Sequence, residues 1–126
     1  MLTRDAILAA DDLPRELVNV PEWGGSVYVR TLTGGERDQF EAALLGSGRG
    51  RKADPAERMR NFRARLAAFV LCDEQGTALF TQADVDALGA KSAAALDRIV
   101  EVASRLNHLS KTDEEQLAQT VDLAKN

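Results

Sequence analysis

The chain has few of the residues that catalysis requires. It contains one cysteine, Cys72, and one histidine, His108, among 126 residues. A single cysteine cannot form an internal disulfide, which indicates a reducing compartment. Cys72 precedes Asp73 and Glu74, whose negative charges raise the pKa of a thiol, so we expect a packed, unreactive side chain. His108 follows a predicted helix and has no companion cysteine, which is typical of an exposed helix-end residue.

Long hydrophobic segments are also missing. The longest apolar run, Leu66–Cys72, is far too short to cross a bilayer. Near the start, Asp11 and Asp12 interrupt the apolar residues that a signal peptide would need, so we expect a cytoplasmic protein with no membrane partner. The 16 basic and 20 acidic residues give a net charge of −4, which favours solubility and disfavours an overall nucleic-acid-binding role.

Two glycine-containing turns resemble ligand motifs but lack the required residues. If Gly76 occupies the glycine position of a calcium loop, Leu71 and Gln82 fall at the positions that need carboxylates. Gly34 and Gly35 precede a predicted helix, but the lysine of a phosphate loop is absent. We therefore predict that the protein is not an enzyme and binds no cofactor and no metal ion.

Local patterns predict an α+β fold that is mainly helical. Two strand-like runs, Arg15–Val20 and Ser26–Leu32, are separated by a turn rich in proline and glycine, which predicts an N-terminal β-hairpin. We expect this hairpin to pack against a small bundle of four to five helices, because apolar residues recur at helical spacing farther along the chain. The predicted helices are Arg4–Ala10 (or a tail instead), Thr33–Leu45, Asp54–Leu71, Thr81–Leu88 with Gly89 ending it, Ser92–Leu106 and Thr112–Asn126.

The chain length is typical of a single domain, so we assign residues 1–126 to one domain. Residues 46–53 combine glycine with like charges, which predicts a flexible basic loop. Thr112–Asn126 opens with a capping-box spacing but has only three large apolar residues. We therefore predict a peripheral C-terminal helix over residues 111–126.

A basic segment leaves an alternative open. Residues 47–65 contain seven basic and two acidic side chains, and such a segment can contact phosphates, an acidic protein partner or only solvent. The helices predicted at Gln82–Leu88 and Ser92–Leu106 have the lengths of a helix-turn-helix. However, the second helix begins with a run of alanines where base-reading side chains are needed. We expect that nucleic acid is not the partner.

Three stretches together resemble one known family. Val18–Phe40 (VNVPEWGGSVYVRTLTGGERDQF) is similar to the opening of tail assembly chaperones of long-tailed bacteriophages and prophages. Val70–Leu106 is similar to their second half, and Thr112–Asn126 to their acidic tail. The resemblance implies a non-structural protein that binds the tape-measure protein, keeps it soluble and helps to recruit tail-tube protein in the host cytoplasm. On this basis we do not expect the protein in the mature virion.

The partner surface is expected at apolar residues on the edge of the domain. A tape-measure protein is mostly a long helix with an apolar face, and a helix-rich partner can cover such a face. The candidate residues are Trp23, Tyr28 and Leu32 on the hairpin and Leu117, Val121 and Leu123 on the last helix. Core packing is the alternative for Trp23 and Tyr28, and self-association into a homo-oligomer stays open. The competing functions are a structural tail or head-tail connector component and a nucleic-acid-associated phage regulator.

Overall fold

A computed structural model describes residues 1–45 and 61–109 of the chain. Its elements, in order, are α1 (Arg4–Ala9), β1 (Arg15–Val20), β2 (Gly25–Arg30), α2 (Gly34–Leu45), α3 (Phe62–Val70), β3 (Leu71–Cys72), α4 (Val85–Gly89) and α5 (Ala93–Leu106). Short 3-10 helices span Pro21–Trp23 and Gln82–Asp84. The predicted mainly helical α+β fold is confirmed. The predicted loop at 46–53 and helix at 111–126, with most of the first half of the helix predicted from Asp54, lie outside the described residues.

The N-terminal hairpin forms as the sequence predicts. β1 and β2 pair antiparallel along their whole length, from Arg15 opposite Arg30 to Val20 opposite Gly25. Between them, Pro21 begins the 3-10 helix, and Gly24 follows with a φ of 74°. This left-handed backbone is strained for most residues and available to glycine. The proline and the glycine together reverse the chain within four residues.

A third strand, which the sequence analysis missed, extends the sheet beyond the hairpin. The apolar run was predicted to stay helical to Leu71, but α3 ends at Val70, and Leu71–Cys72 pairs antiparallel with β2. Tyr28 lies opposite Cys72 in this pairing. The predicted turn at Asp73 and the extended piece at Ala78 are present. Ala78 forms an antiparallel bridge with Cys72, on the side of β3 that faces away from β2. The sheet order is β1-β2-β3.

The core lies between α5 and one face of the sheet. Strand residues alternate between the two faces, which places Val18, Val20 and Val29 on the buried inner face. α5 packs against β1 and β2, with Ile99 and Ala103 completely buried. The rest of the core cluster comes from α2, α3, α4, β3, the segment after β2 and the start of α5 (Leu32, Phe40, Leu44, Ala64, Leu66, Ala67, Ala68, Phe69, Val70, Leu71, Val85, Leu88, Ala95 and Leu96).

Three ion pairs join the exposed side of α5 to three other elements. Arg105 pairs with Glu16 on β1, Arg98 pairs with Glu22 in the hairpin turn, and Asp97 pairs with Arg63 on α3. Each pair is solvent-accessible, so each contributes little to the stability of the fold. Their shared effect is to fix the orientation of α5 over the sheet.

The predicted capping box at the start of α2 is present, and a buried arginine strengthens it. The Glu36 amide donates to the Thr33 hydroxyl at 3.1 Å, and the Thr33 amide donates to the Glu36 carboxylate at 3.0 Å. The same carboxylate accepts two hydrogen bonds from the Arg30 guanidinium, at 3.0 and 2.8 Å. Arg30 is only 5% exposed. Glu36 therefore links the start of α2 to the end of β2.

α4 ends at Gly89, as the sequence predicts, but this glycine does not form a left-handed helix end. Thr81 caps the 3-10 helix Gln82–Asp84, and α4 begins directly after it at Val85. Ala90 is the C-cap and has right-handed φ and ψ angles. A Cβ on Gly89 would lie 2.6 Å from Oδ1 of Asn61. Glycine at this position therefore permits the close approach of Asn61 rather than a left-handed turn.

Candidate partner-binding surface

The outer sheet face is the part of the sheet that α5 does not cover. Its residues on the hairpin are Arg15, Leu17, Asn19, Ser26, Tyr28 and Arg30. Leu17 lies directly opposite Tyr28 and is 56% exposed, while Tyr28 is half-buried. Directly opposite side chains on a sheet are in contact range. Leu17 and Tyr28 therefore form an apolar pair on an otherwise polar face.

Leu17 was not among the residues selected from the sequence, although a signal for it is present. Val18 and Val20 both face the core, and strict alternation in a strand places Leu17 on the opposite face. An exposed leucine alone is common on protein surfaces. Its position opposite an aromatic side chain is what makes it a candidate for binding.

Trp23 lies at the tip of the hairpin and is 36% exposed. It ends the 3-10 helix whose preceding residue, Glu22, accepts hydrogen bonds at 2.7 and 3.0 Å from Nε of Arg98 on α5. This contact lowers the pKa of Glu22 below its ordinary value. The turn is thus fastened to the helical layer, and Trp23 is presented from a fixed backbone.

The other candidates from the sequence are not brought to this surface. Leu32 is 8% exposed and belongs to the core, since its amide binds Asn107 at the end of α5. The strand ends at Arg30, so the alternation that placed Leu32 on the hairpin edge does not continue to it. Leu117, Val121 and Leu123 lie outside the described residues.

A second group of exposed apolar side chains lies at the N-terminus. α1 is capped by the Thr3 hydroxyl, which accepts from the Ala6 amide at 3.2 Å, and it has no buried residue. Ile7 and Leu8 are 56% and 68% exposed. The sequence analysis predicted the helix as one of two options and did not select these residues. The sequence does not show which side of α1 is exposed, because a helix of six residues is too short for a repeating apolar pattern.

The outer sheet face is electropositive at one end. Arg15 and Arg30 are directly opposite each other in the register, and Glu36 neutralises only Arg30 among the described contacts. Arg15 extends towards the turn after β3, where its Nη1 would lie 3.5 Å from a Cβ on Gly76. Like charges opposite each other on a sheet are unfavourable. An acidic group near Arg15 would relieve this repulsion.

The Cys72 thiol is buried in an environment that lowers its reactivity, whereas His108 is exposed. Cys72 is 1% exposed. Burial raises the pKa of its thiol, whereas Arg30 and Arg15 lower it and Asp73 adds only a small increase. Desolvation, rather than the acidic neighbours that the sequence suggested, therefore keeps Cys72 protonated. His108 is exposed beyond the end of α5, with a φ of 52°.

Metal-binding clusters and membrane-spanning helices are both missing from the described residues. Within residues 1–45 and 61–109, no group of three or more histidine, cysteine, aspartate or glutamate side chains is arranged to hold a metal ion. In the same part of the chain, no helix combines the length and the apolar character needed to span a membrane.

Comparisons with known proteins agree on one family. A family model described as phage tail assembly chaperone matches residues 3–120. Among solved structures, that of the bacteriophage HK97 tail assembly chaperone is similar with a TM-score of 0.58 and 19% sequence identity, over 81% of this chain and 90% of that chain. At this level of identity the likeness shows a shared fold. A comparison with curated proteins gives no match.

Proposed function

This chain belongs to the phage tail assembly chaperone family, and we propose that it binds the tape-measure protein, keeps that protein soluble and helps to recruit tail-tube subunits. In this proposal the protein acts by binding alone, without catalysis. It works in the cytoplasm of the bacterial host and is absent from the mature virion.

The apolar pair of Leu17 and Tyr28 on the outer sheet face is the observation that supports this proposal most directly. A helix with an apolar stripe can cover both side chains, and Trp23 is a further exposed aromatic side chain at the hairpin tip. Aromatic side chains bury a large area and lose little conformational entropy, which suits them to binding surfaces. Covering the exposed half of Leu17 would stabilise a complex by about 1 kcal/mol.

Side-chain contacts that link the hairpin to the helices also support the proposal. The hairpin turn is held by Glu22 and Arg98, and β2 is held by Arg30 and Glu36. A preorganised surface loses less conformational entropy on binding than a mobile one. The partner can therefore be long and flexible while the chaperone remains fixed.

The test is co-expression of this chain with the tape-measure protein of the same phage. Native chain is expected to increase the soluble fraction of the tape-measure protein. The Leu17→Ser variant is expected to bind it about fivefold more weakly, because about 1 kcal/mol of apolar contact is lost. Leu79→Ser is the matched control, since Leu79 is 50% exposed but lies outside the hairpin. If native chain leaves the tape-measure protein insoluble, the proposed function is wrong.

Mass spectrometry of purified virions separates the proposal from the competing structural role. A chaperone is expected to be absent from finished particles, whereas a tail or connector component is present at a fixed number of copies. Detection at a constant ratio to the tail-tube protein would favour the structural role.

A further inference from the structure

We propose that the free edge of β1 is a second binding surface, which takes an extended segment of a tail protein as an added strand. This inference rests on the proposed function, because it assumes a protein partner in the tail. Binding at the edge uses the main-chain amides and carbonyls of β1, whereas binding on the outer sheet face uses side chains.

The two edges of the sheet differ in what covers them. β3 has Ala78 bridged to Cys72 on its far side, and the Leu79 amide donates to the Leu71 carbonyl at 3.0 Å. β1 is the other terminal strand, and within the described residues no strand pairs with its second edge. An uncovered edge strand is a template for pairing with another chain. The asymmetry points to β1 as the receptive edge.

The hydrogen-bond pattern identifies which amides point outwards. The Thr31 amide donates to the Pro14 carbonyl at 3.1 Å, and these residues continue the register of the hairpin. In an antiparallel pair, bonded positions alternate along the strand. Glu16, Val18 and Val20 therefore bond to β2. The amides and carbonyls of Arg15, Leu17 and Asn19 point to the free edge, and their side chains lie on the outer sheet face.

Most of the features that usually block an edge are absent from this strand or neutralised, and Arg15 is the one charged side chain on its outer face. Prolines lie just outside it, at Pro14 and in the turn at Pro21, and none lies within it. The one charged side chain that points inwards, Glu16, is paired with Arg105. The pairing with β2 runs through all six residues without a bulge. β1 is therefore a regular edge of six residues, about 20 Å long.

The side chains beside the edge indicate the chemistry of the added segment. The Arg15 side chain extends away from the free edge, towards the turn after β3, so it does not select the residue opposite it. Leu17 is more than half exposed, so an apolar side chain opposite it is favoured. Alternate residues of a strand share one face. The expected partner is thus an extended segment with an apolar residue that faces Leu17.

The experiment compares Asn19→Pro with Asn19→Ser. Proline at position 19 removes an amide that points to the free edge, and prolines are tolerated on edge strands in this orientation. Serine keeps the amide and shortens the side chain. The probes are overlapping ten-residue peptides that cover the tape-measure and tail-tube proteins of the same phage. We expect at least one peptide to bind the native and Asn19→Ser chains equally and the Asn19→Pro chain at least tenfold more weakly.

Amide hydrogen exchange of the native chain gives a second measurement, which does not depend on how well the proline variant folds. The amides of Arg15, Leu17 and Asn19 are expected to exchange fast in the free chain and to become protected when a peptide or an intact tail protein binds. If a tail protein binds and these three amides stay unprotected, the edge proposal is wrong and the proposed function stands. If no peptide and no intact tail protein binds at all, both fail.

Discussion

Asn107 holds the backbone of Leu32 across the molecule: its side-chain oxygen accepts a hydrogen bond from the Leu32 amide at 2.7 Å, although the two residues are 75 positions apart. The Asn107 side-chain nitrogen donates to the Ala103 carbonyl at 2.8 Å. Arg37 on α2 donates to the Asn107 carbonyl at 3.1 Å. The end of α5 is thus joined to the connection between β2 and α2.

Replacing Asn107 by alanine is expected to destabilise the fold by about 1–3 kcal/mol, because the buried Leu32 amide loses its partner. Urea unfolding followed by circular dichroism measures this change. Glu101→Ala is the control, since Glu101 is exposed on the same helix, and it should change the free energy of unfolding by less than about 0.5 kcal/mol. Equal effects of the two substitutions would contradict the assigned role of Asn107.

Glu36 should make the stability depend on pH. Partial burial pushes its pKa upwards, but the hydrogen bonds from Arg30 and Thr33 outweigh this, and the net pKa is lowered. A carboxyl group whose pKa is lower in the folded chain than in the unfolded chain stabilises the fold. This contribution is fully present above the unfolded pKa, about 4.3. It is lost as the pH falls through the folded pKa. Stability should therefore decrease below about pH 4, and Glu36→Gln should flatten this decrease.

The pH experiment needs salt, because two exposed carboxyl groups also have lowered pKa values and would add to the loss of stability at low pH. Hydrogen bonds from Arg105 and Arg98 lower the pKa values of Glu16 and Glu22. At about 1 M salt the Debye length is about 3 Å, which weakens exposed pairs more than the partly buried one. Unfolding of the native chain and Glu36→Gln at pH 7 and pH 3 in this buffer isolates Glu36. A parallel pH dependence of the two chains would count against the prediction.

Gly89 and Asn61 should show strong coupling in a double-mutant cycle. The Cβ of alanine at position 89 would be 2.6 Å from Oδ1 of Asn61. The side-chain nitrogen of Asn61 donates a hydrogen bond to Asp86 at 3.2 Å. Asn61 has a φ of 61°, which glycine tolerates. Gly89→Ala should be more favourable by about 1 kcal/mol in an Asn61→Gly background than in the native chain. Additive effects would show that the two residues do not limit each other.

The Cys72 thiol should be inert in the folded chain. It is buried and its pKa is raised, so little thiolate is present or accessible at pH 8. A chromogenic disulfide reagent should label it at least 100-fold more slowly in buffer than in denaturant. Fast labelling of the native chain would contradict the structure around β3.

Removal of the residues after Ser110 tests the prediction for the C-terminal segment. The described core includes Leu109 as its last packed residue, so the shortened chain should fold and lose less than about 2 kcal/mol. It should also bind tail proteins or other copies of itself more weakly, because Leu117, Val121 and Leu123 are lost. Thermal melting and a pull-down of the tape-measure protein measure both effects. Outright unfolding, or undiminished binding, would contradict the prediction.

The hairpin and the helix starts were predictable because their signals are local. Pro21 and Gly24 specify the turn, and Thr33 with Glu36 specifies the cap of α2, all within a few residues. β3 was not predictable by the same means. A continuous apolar run is compatible with either a helix or a buried strand, and only pairing with β2 ends α3 at Val70.

Features that depend on distant residues were missed for a physical reason. Arg30 looks like an ordinary outward-facing strand residue until Glu36 is placed beside it, and Asn107 looks like a helix-end residue until Leu32 is placed beside it. The same holds for the surface. Trp23 and Tyr28 were identified from their type, whereas Leu17 became a candidate only through the register that sets it opposite Tyr28.

The position of α5 at the end of the folded core has a consequence for synthesis on the ribosome. The hairpin is complete by Arg30, but the helix that covers its inner face ends at Leu106. At roughly 5–20 residues per second, the ribosome needs about 4–15 s to add the residues between them. During this interval Val18, Val20 and Val29 have no cover from α5. The nascent chaperone therefore passes through a stage in which it is itself prone to aggregate, and translation speed between residues 30 and 106 sets how long that stage lasts.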